Sequence, residues 1–234
     1  MTHHRRRNNG TDPSKINETV ELSPAQRYAA FKQTQAKQRT VAAEFARSMP
    51  FELDEFQMQA NDALEAGDNV LVAAPTGAGK TVAADFAIYL AQTRNVKAFY
   101  TTPIKALSNQ KYHDLVDQYG TDKVGLLTGD TSINSEADIV VMTTEVLRNM
   151  LYEHSVTLEA LRYVILDEVH YLADRFRGPV WEEVIIHLPK NVNIIGLSAT
   201  VSNVEDFSEW IESVRGKTTL VMSEQRPVPL EQHV

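Results

Sequence analysis

The run "NVLVAAPTGAGKTVAADFAIYL", Asn69 to Leu90, constrains this chain more than any other stretch. Its first part is apolar and β-prone, its last part reads as a helix, and the turn between them carries Gly77, Gly79, Lys80 and Thr81. A glycine turn between strand and helix is what a phosphate-holding loop requires. The glycines let backbone N–H groups approach an anion, and the following helix adds its positive N-terminal end. Lys80 is placed to reach β- and γ-phosphates, and the Thr81 hydroxyl to meet Mg²⁺. Gly77, Gly79, Lys80 and Thr81 are therefore expected to bind a nucleotide. The pattern G-x-x-x-x-G-K-[ST] is met except at its first position, where Ala74 stands.

A second stretch, "RYVILDEVH", ends a short apolar run in Asp167-Glu168. A carboxylate at the end of a buried strand suits a Mg²⁺ ligand, which Asp167 would supply. Glu168 is then the candidate to orient or deprotonate an attacking water. Without the phosphate loop, the same pair would read as a solvated strand end.

Short β-rich runs alternate with helical segments from residue 50 onward. The expected strands are Asn69–Ala74, Ala98–Thr102, Val124–Thr128, Ile139–Thr143, Tyr163–Asp167, Asn193–Ser198 and Thr218–Met222. Helices are expected over Thr81–Thr93, Ile104–Tyr119, Thr144–Glu153, Pro179–His187 and Val204–Ser213. This alternation predicts an α/β fold with a mostly parallel sheet of about seven strands, covered by helices on both faces. Trp181 falls on the apolar stripe of its helix and is expected in the core.

Residues 1–20 are polar and read as a loose extension, residues 21–49 as a basic helical extension starting at Ser23-Pro24. The α/β domain is expected over 50–225. Residues 1–49 carry nine Lys/Arg against four Asp/Glu, a balance of +5, and the remainder carries −13. That excludes a uniformly basic nucleic-acid surface but not a local phosphate-contacting track. The chain has no cysteine, which excludes disulfides and thiolate metal sites and fits a reducing cytoplasm. No apolar run approaches the roughly 18 residues of a membrane span, so no membrane role is expected. A monomer is the default.

The ordered motifs "FELDEFQ", "APTGAGKT", "TTPIKALSNQK", "TGD", "TTEVLR", "DEVH" and "SAT" resemble the first RecA-like domain of superfamily 2 helicases. "LDEVHYLADRFRGPVWEEVIIHLP" looks like their Ski-type and HelY-type DExH-box branch, and "QRPVPLEQHV" like that branch's linker (226–234) into a second domain. The resemblance implies a RecA-like P-loop NTPase fold using ATP and Mg²⁺. It implies that Phe51 and Gln57 meet the adenine, with Gln57 reading its edge, and that Thr76 and Ala78 join Gly77, Gly79, Lys80 and Thr81 in binding the nucleotide. Taken alone, Gln57 would be a polar residue on a surface helix. Lys80, Asp167 and Glu168 become the catalytic set. His170 is implied to link the nucleotide to Ser198 and Thr200, coupling hydrolysis to nucleic-acid binding. By themselves His170 reads as a core-edge histidine and Ser198-Ala199-Thr200 as a strand-end turn.

Three further segments are implied to touch the backbone of single-stranded RNA or DNA: Pro103, Ile104 and Lys105; Gly129 and Asp130; and Thr143, Thr144 and Glu145. Strand ends and helix N-termini offer amides and hydroxyls to phosphates without reading bases. Alone, each reads as loop and capping chemistry, with Thr144 as an N-cap. Arg175, Arg177 and Gly178 read as an exposed basic loop. In the resembling family, a second RecA-like domain supplies the arginines that stabilise the transition state. The 234 residues are therefore expected to bind nucleotide, to hydrolyse it negligibly and not to unwind. Three functions stay open: the ATP-binding half of an RNA helicase, the same half of a DNA helicase or translocase, and a stand-alone nucleotide switch.

Overall fold

Each expected strand except the last is almost wholly buried, as runs apolar on both faces demand. The structure is a computed structural model and describes residues 39–173, 178–199 and 203–224. Among the described residues eight strands form one sheet: β1 (Asn69–Ala73), β2 (Lys97–Thr102), β3 (Val124–Thr128), β4 (Thr131–Ile133), β5 (Ile139–Thr143), β6 (Leu161–Leu166), β7 (Asn193–Ser198) and β8 (Thr218–Met222). Their spatial order is β4-β3-β5-β2-β6-β7-β1-β8. Every pairing is parallel except β3 with β4. The sheet thus has one strand more than expected. β4 is three residues, Thr-Ser-Ile, with no apolar alternation to announce it. It closes because Asn134 turns the chain at φ 44° and its side-chain amide donates to the Asp122 carbonyl at 3.1 Å.

The helices are α1 (Val41–Ser48), α2 (Glu55–Glu65), α3 (Thr81–Arg94), α4 (Lys105–Tyr119), α5 (Thr144–Tyr152), α6 (Gly178–His187) and α7 (Val204–Arg215). Strand alternation distributes the core between two faces. Tyr100, Val141, Ile165 and Ile195 join α1 to α4 on one face; Phe99, Val140, Val164 and Ile194 join α5 and α6 on the other. α3 is buried on nearly every side, which its run of alanines with Phe86, Ile88 and Leu90 permits. Trp181 is 1% exposed, in the core as expected. Among the described residues no helix is long and apolar enough to cross a membrane.

Several expectations need correction. The expected helical extension over 21–49 is interrupted at Thr40, and its beginning, Ser23-Pro24, lies outside the described residues. A helix begins at Val41 because Thr40 is extended and its hydroxyl accepts from Ala43 N–H at 3.1 Å. The Glu65 carboxylate takes the N–H groups of Val41 and Ala42, so the exposed donors of the first turn are satisfied. Phe45 then packs on Phe86 and Tyr89, with ring centroids 5.2 and 5.4 Å away. Residues 41–48 therefore belong to the α/β core, not to a separate extension. Gly178 is buried at the start of α6, not exposed in a loop. A Cβ there would lie 2.3 Å from the Leu172 carbonyl oxygen. Arg175 and Arg177 lie outside the described residues, as do 1–20 and the linker residues 226–234.

Candidate nucleotide and nucleic-acid site

The parallel strands run in one direction, so the glycine turn, Asp167-Glu168 and the segments at 103–105, 129–130 and 143–145 all follow strand ends on one edge of the sheet. β1 passes into the glycine turn beside β7, with Ala74 N–H donating to the Ser198 carbonyl at 3.2 Å. Gly77 and Gly79 adopt φ of 83° and 84°, which side chains rarely tolerate. Ala74 is not among the residues with positive φ, so this backbone does not need glycine at that position. The amides of Gly77, Gly79 and Lys80 donate to no group among the described residues. Such a concave set of free N–H groups ahead of α3 suits an anion.

Lys80 stands at the N-cap of α3 and folds back over the turn. Its ammonium donates to the carbonyls of Ala74 at 2.8 Å and Pro75 at 3.1 Å. Burial holds its pKa below the usual lysine value, and the nearby Glu168 and Asp167 carboxylates push it back up. Asp167 follows β6 directly and shows the converse. Burial raises its carboxyl above the usual range, while hydrogen bonds from Tyr100 and the Glu168 amide, and the charges of Lys111 and Lys80, oppose this. Burial disfavours the charged form of both groups, a cost that a phosphate near Lys80 and a divalent cation near Asp167 would offset. The residues thus fit a Mg²⁺-nucleotide.

Glu168 sits at φ 56°, a strained backbone for this residue type. Its N–H donates to Asp167 Oδ1 at 2.9 Å, and its carbonyl accepts from Tyr171 N–H at 3.0 Å. The carboxylate lies 3.2 Å from His170 Nδ1, within ion-pair reach but without hydrogen-bond alignment. Ser198 Oγ donates to the Ala199 carbonyl at 2.8 Å. The expected His170–Ser198 link is therefore not made as a hydrogen bond, and Thr200 lies outside the described residues.

Gln57 is buried, contrary to the surface-helix reading. Its Oε1 accepts from Asp54 N–H at 2.9 Å, half of a capping box, and its Nε2 donates to the Gly79 carbonyl at 3.1 Å. Phe51 is exposed beside the start of α2.

The three segments implied for nucleic acid line the ends of β2, β3 and β5. Pro103 is buried, Ile104 is the extended N-cap of α4, and Lys105 opens that helix. Gly129 and Asp130 are exposed after β3. The Asp130 carboxylate accepts from Lys105 Nζ at 2.5 Å and from the Thr128 hydroxyl at 3.1 Å, and these bonds hold its carboxyl below the usual range. Thr143, not Thr144, is the N-cap of α5; Thr144 is buried and its hydroxyl donates to the Thr102 carbonyl at 3.3 Å. Glu145 is half-buried in the first turn of α5. The structure thus brings the phosphate turn together with Asp167-Glu168, and the other three segments to neighbouring strand ends.

Sequence reasoning missed Tyr100, Lys111 and Asp85. Tyr100 Oη donates to Asp167 Oδ2 at 2.9 Å, Lys111 Nζ lies 4.9 Å from the Tyr100 ring centroid, and Lys111 pairs with Asp85 at 3.8 Å. Tyr100 sits in an apolar strand run, so only its partner, 67 residues away, reveals it.

A profile of the family described as DEAD/DEAH box helicase matches residues 54–207. The chain is 63% identical over 190 residues to the probable helicase HelY of Mycobacterium tuberculosis, covering 81% of this chain and 21% of that protein. It is 52% identical over 187 residues to the antiviral helicase SKI2 of Saccharomyces cerevisiae, covering 80% and 14%. Among solved structures it is similar to the Mycobacterium smegmatis helicase Lhr bound to ssDNA and AMP-PNP. That likeness has a TM-score of 0.60 at 31% identity and covers 72% of this chain and 25% of that one. The DUF1998 helicase MrfA bound to DNA gives a TM-score of 0.64 at 25% identity, covering 78% and 29%. The chain spans about a fifth of HelY's length and about a seventh of SKI2's.

Proposed function

The chain belongs to the DEAD/DEAH box helicase family, and from that premise we propose that it binds ATP with Mg²⁺ as the ATP-binding half of an ATP-dependent RNA helicase. The observation that carries this reading is a half-buried Lys80 ammonium over a glycine turn, within electrostatic reach of a half-buried, twice hydrogen-bonded Asp167 carboxylate. Thr81 and Asp167 would hold Mg²⁺, which when bound neutralises charge on the β- and γ-phosphate oxygens. The turn amides receive the phosphates, and Lys80 exchanges its loop carbonyls for them. Glu168 takes a proton from, or orients, an attacking water.

Gln57 keeps one N–H and one Oε1 lone pair after its two bonds are made. That donor–acceptor couple complements the N6 amino group and N7 of adenine. Gln57→Ala is expected to weaken every triphosphate, because the turn loses a brace, and ATP about tenfold more than GTP. Equal losses, measured by calorimetry, would remove Gln57 from the adenine role and leave only the bracing.

Nucleic acid is proposed to lie along the ends of β2, β3 and β5, over Lys105 and the amides of Gly129 and Asp130. RNA is favoured by the likeness to proteins described as RNA helicases, such as the Arabidopsis thaliana DExH-box ATP-dependent RNA helicase DExH11, 50% identical over 189 residues. The DNA reading has its own support in the DNA-bound Lhr and MrfA structures. Binding of matched single strands of RNA and DNA across a salt series decides between them. A gap in favour of RNA that persists at high salt supports contact with 2′-hydroxyls, and superimposed curves favour the DNA-competent alternative. An arginine finger in related NTPases is worth about 10³–10⁵ in rate. The 234-residue chain is accordingly expected to turn over ATP below about 1 s⁻¹. Faster turnover that Lys80→Ala abolishes would show that these residues are sufficient.

A further inference from the structure

Tyr100 lies on β2, outside every residue set assigned above, and is 1% exposed. The adjoining strand β6 delivers Asp167 beside it: Tyr100 pairs with Ile165, and Asp167 N–H donates to the Thr101 carbonyl at 3.0 Å. The Tyr100 hydroxyl donates to Asp167 Oδ2 and the Glu168 amide to Oδ1, each at 2.9 Å. Each carboxylate oxygen keeps a lone pair, and rotation of the group is stopped from both oxygens. The ring cannot follow a moving carboxylate, because it is packed in the core and Lys111 Nζ stands 4.9 Å from its centroid, tied at 3.8 Å to Asp85 on α3.

We propose that Tyr100 is a positioning residue for Mg²⁺ binding, orienting the Asp167 carboxylate through its buried hydroxyl, with Lys111 holding the ring in place. The inference rests on the nucleotide reading above. Its physical basis is that groups hydrogen-bonded to a metal's ligands set their orientation before the metal arrives, and their loss weakens the site about 10–100-fold. The competing account is that Asp167 merely satisfies a buried hydroxyl. Tyr100→Phe separates the two, because it removes the hydroxyl and its need for a partner together and keeps the ring's packing.

The test titrates Mg²⁺ against ATP binding by the 234-residue chain, with ATP affinity in EDTA and the melting temperature as controls. Tyr100→Phe is expected to raise the half-saturating Mg²⁺ concentration about tenfold and to leave ATP affinity in EDTA unchanged. Lys111→Met should move the Mg²⁺ requirement in the same direction by less. A Mg²⁺ requirement within about twofold of wild type overturns the proposal. So does an equal loss with and without Mg²⁺ accompanied by a lower melting temperature, which would mark Tyr100 as structural. A wild-type chain whose ATP binding ignores Mg²⁺ overturns the nucleotide reading itself, and this inference with it.

Discussion

Replacing Lys80 by alanine is expected to weaken Mg²⁺-ATP binding at least about 100-fold while leaving the nucleotide-free fold close to its original stability. The loss follows from removing charge-assisted bonds to two phosphates, at about 1.5–3 kcal/mol each. The retained stability follows from the state of the lysine without ligand. Its ammonium is held by two loop carbonyls, and burial depresses its pKa below that of an unfolded lysine. A base whose folded pKa is lowered costs stability in full below that folded value, and the cost fades as pH rises from there to the unfolded value. The alanine therefore removes a burial penalty along with two hydrogen bonds, and the two oppose each other in the melting temperature. Calorimetry for ATP and a melting curve without nucleotide read the two halves separately. Binding kept within tenfold would displace Lys80 from the phosphates. A collapse of the melting temperature would show that the side chain is structural first.

The parallel strands were legible because burial on both faces leaves little room for polar residues: β3, β5 and β7 have the expected bounds, and β8 has them too although it is only partly buried. β4 was not, since Thr131–Ile133 is exposed and held by Asn134, a backbone effect without an apolar signature. The break at Thr40 depended on Glu65, a carboxylate 23 residues from the amide of Ala42. The site divides along the same line. Residues that act through local backbone, such as Gly77, Gly79 and Lys80, were readable from spacing. Those that act across strands were not. Tyr100 needs Asp167, and Gln57 needs Gly79, before either has a visible role. Ala74 shows the reverse: a departure from pattern that the backbone absorbs, because the φ there is not one that demands glycine.

Gly79→Ala is the other change with a large expected effect, about 100-fold on ATP affinity together with a loss of stability. At φ 84° a side chain is strained whatever room it has, at a cost of about 1–3 kcal/mol. The new Cβ would also stand 2.5 Å from Gln57 Nε2. A free glutamine end would swing away cheaply. This one is buried and tied to the Asp54 amide and the Gly79 carbonyl, so moving it gives up the brace and disturbs the start of α2. The two sources of damage can be told apart by adding Gln57→Ala. The double variant loses the clash and keeps the strain, so it should melt no lower than Gly79→Ala alone, although Gln57→Ala alone is destabilising. Residues in direct contact are where such non-additivity belongs. If the two melting losses instead simply add, Gln57 does not touch Gly79 in solution, and the bridge from α2 to the phosphate turn would have to be abandoned.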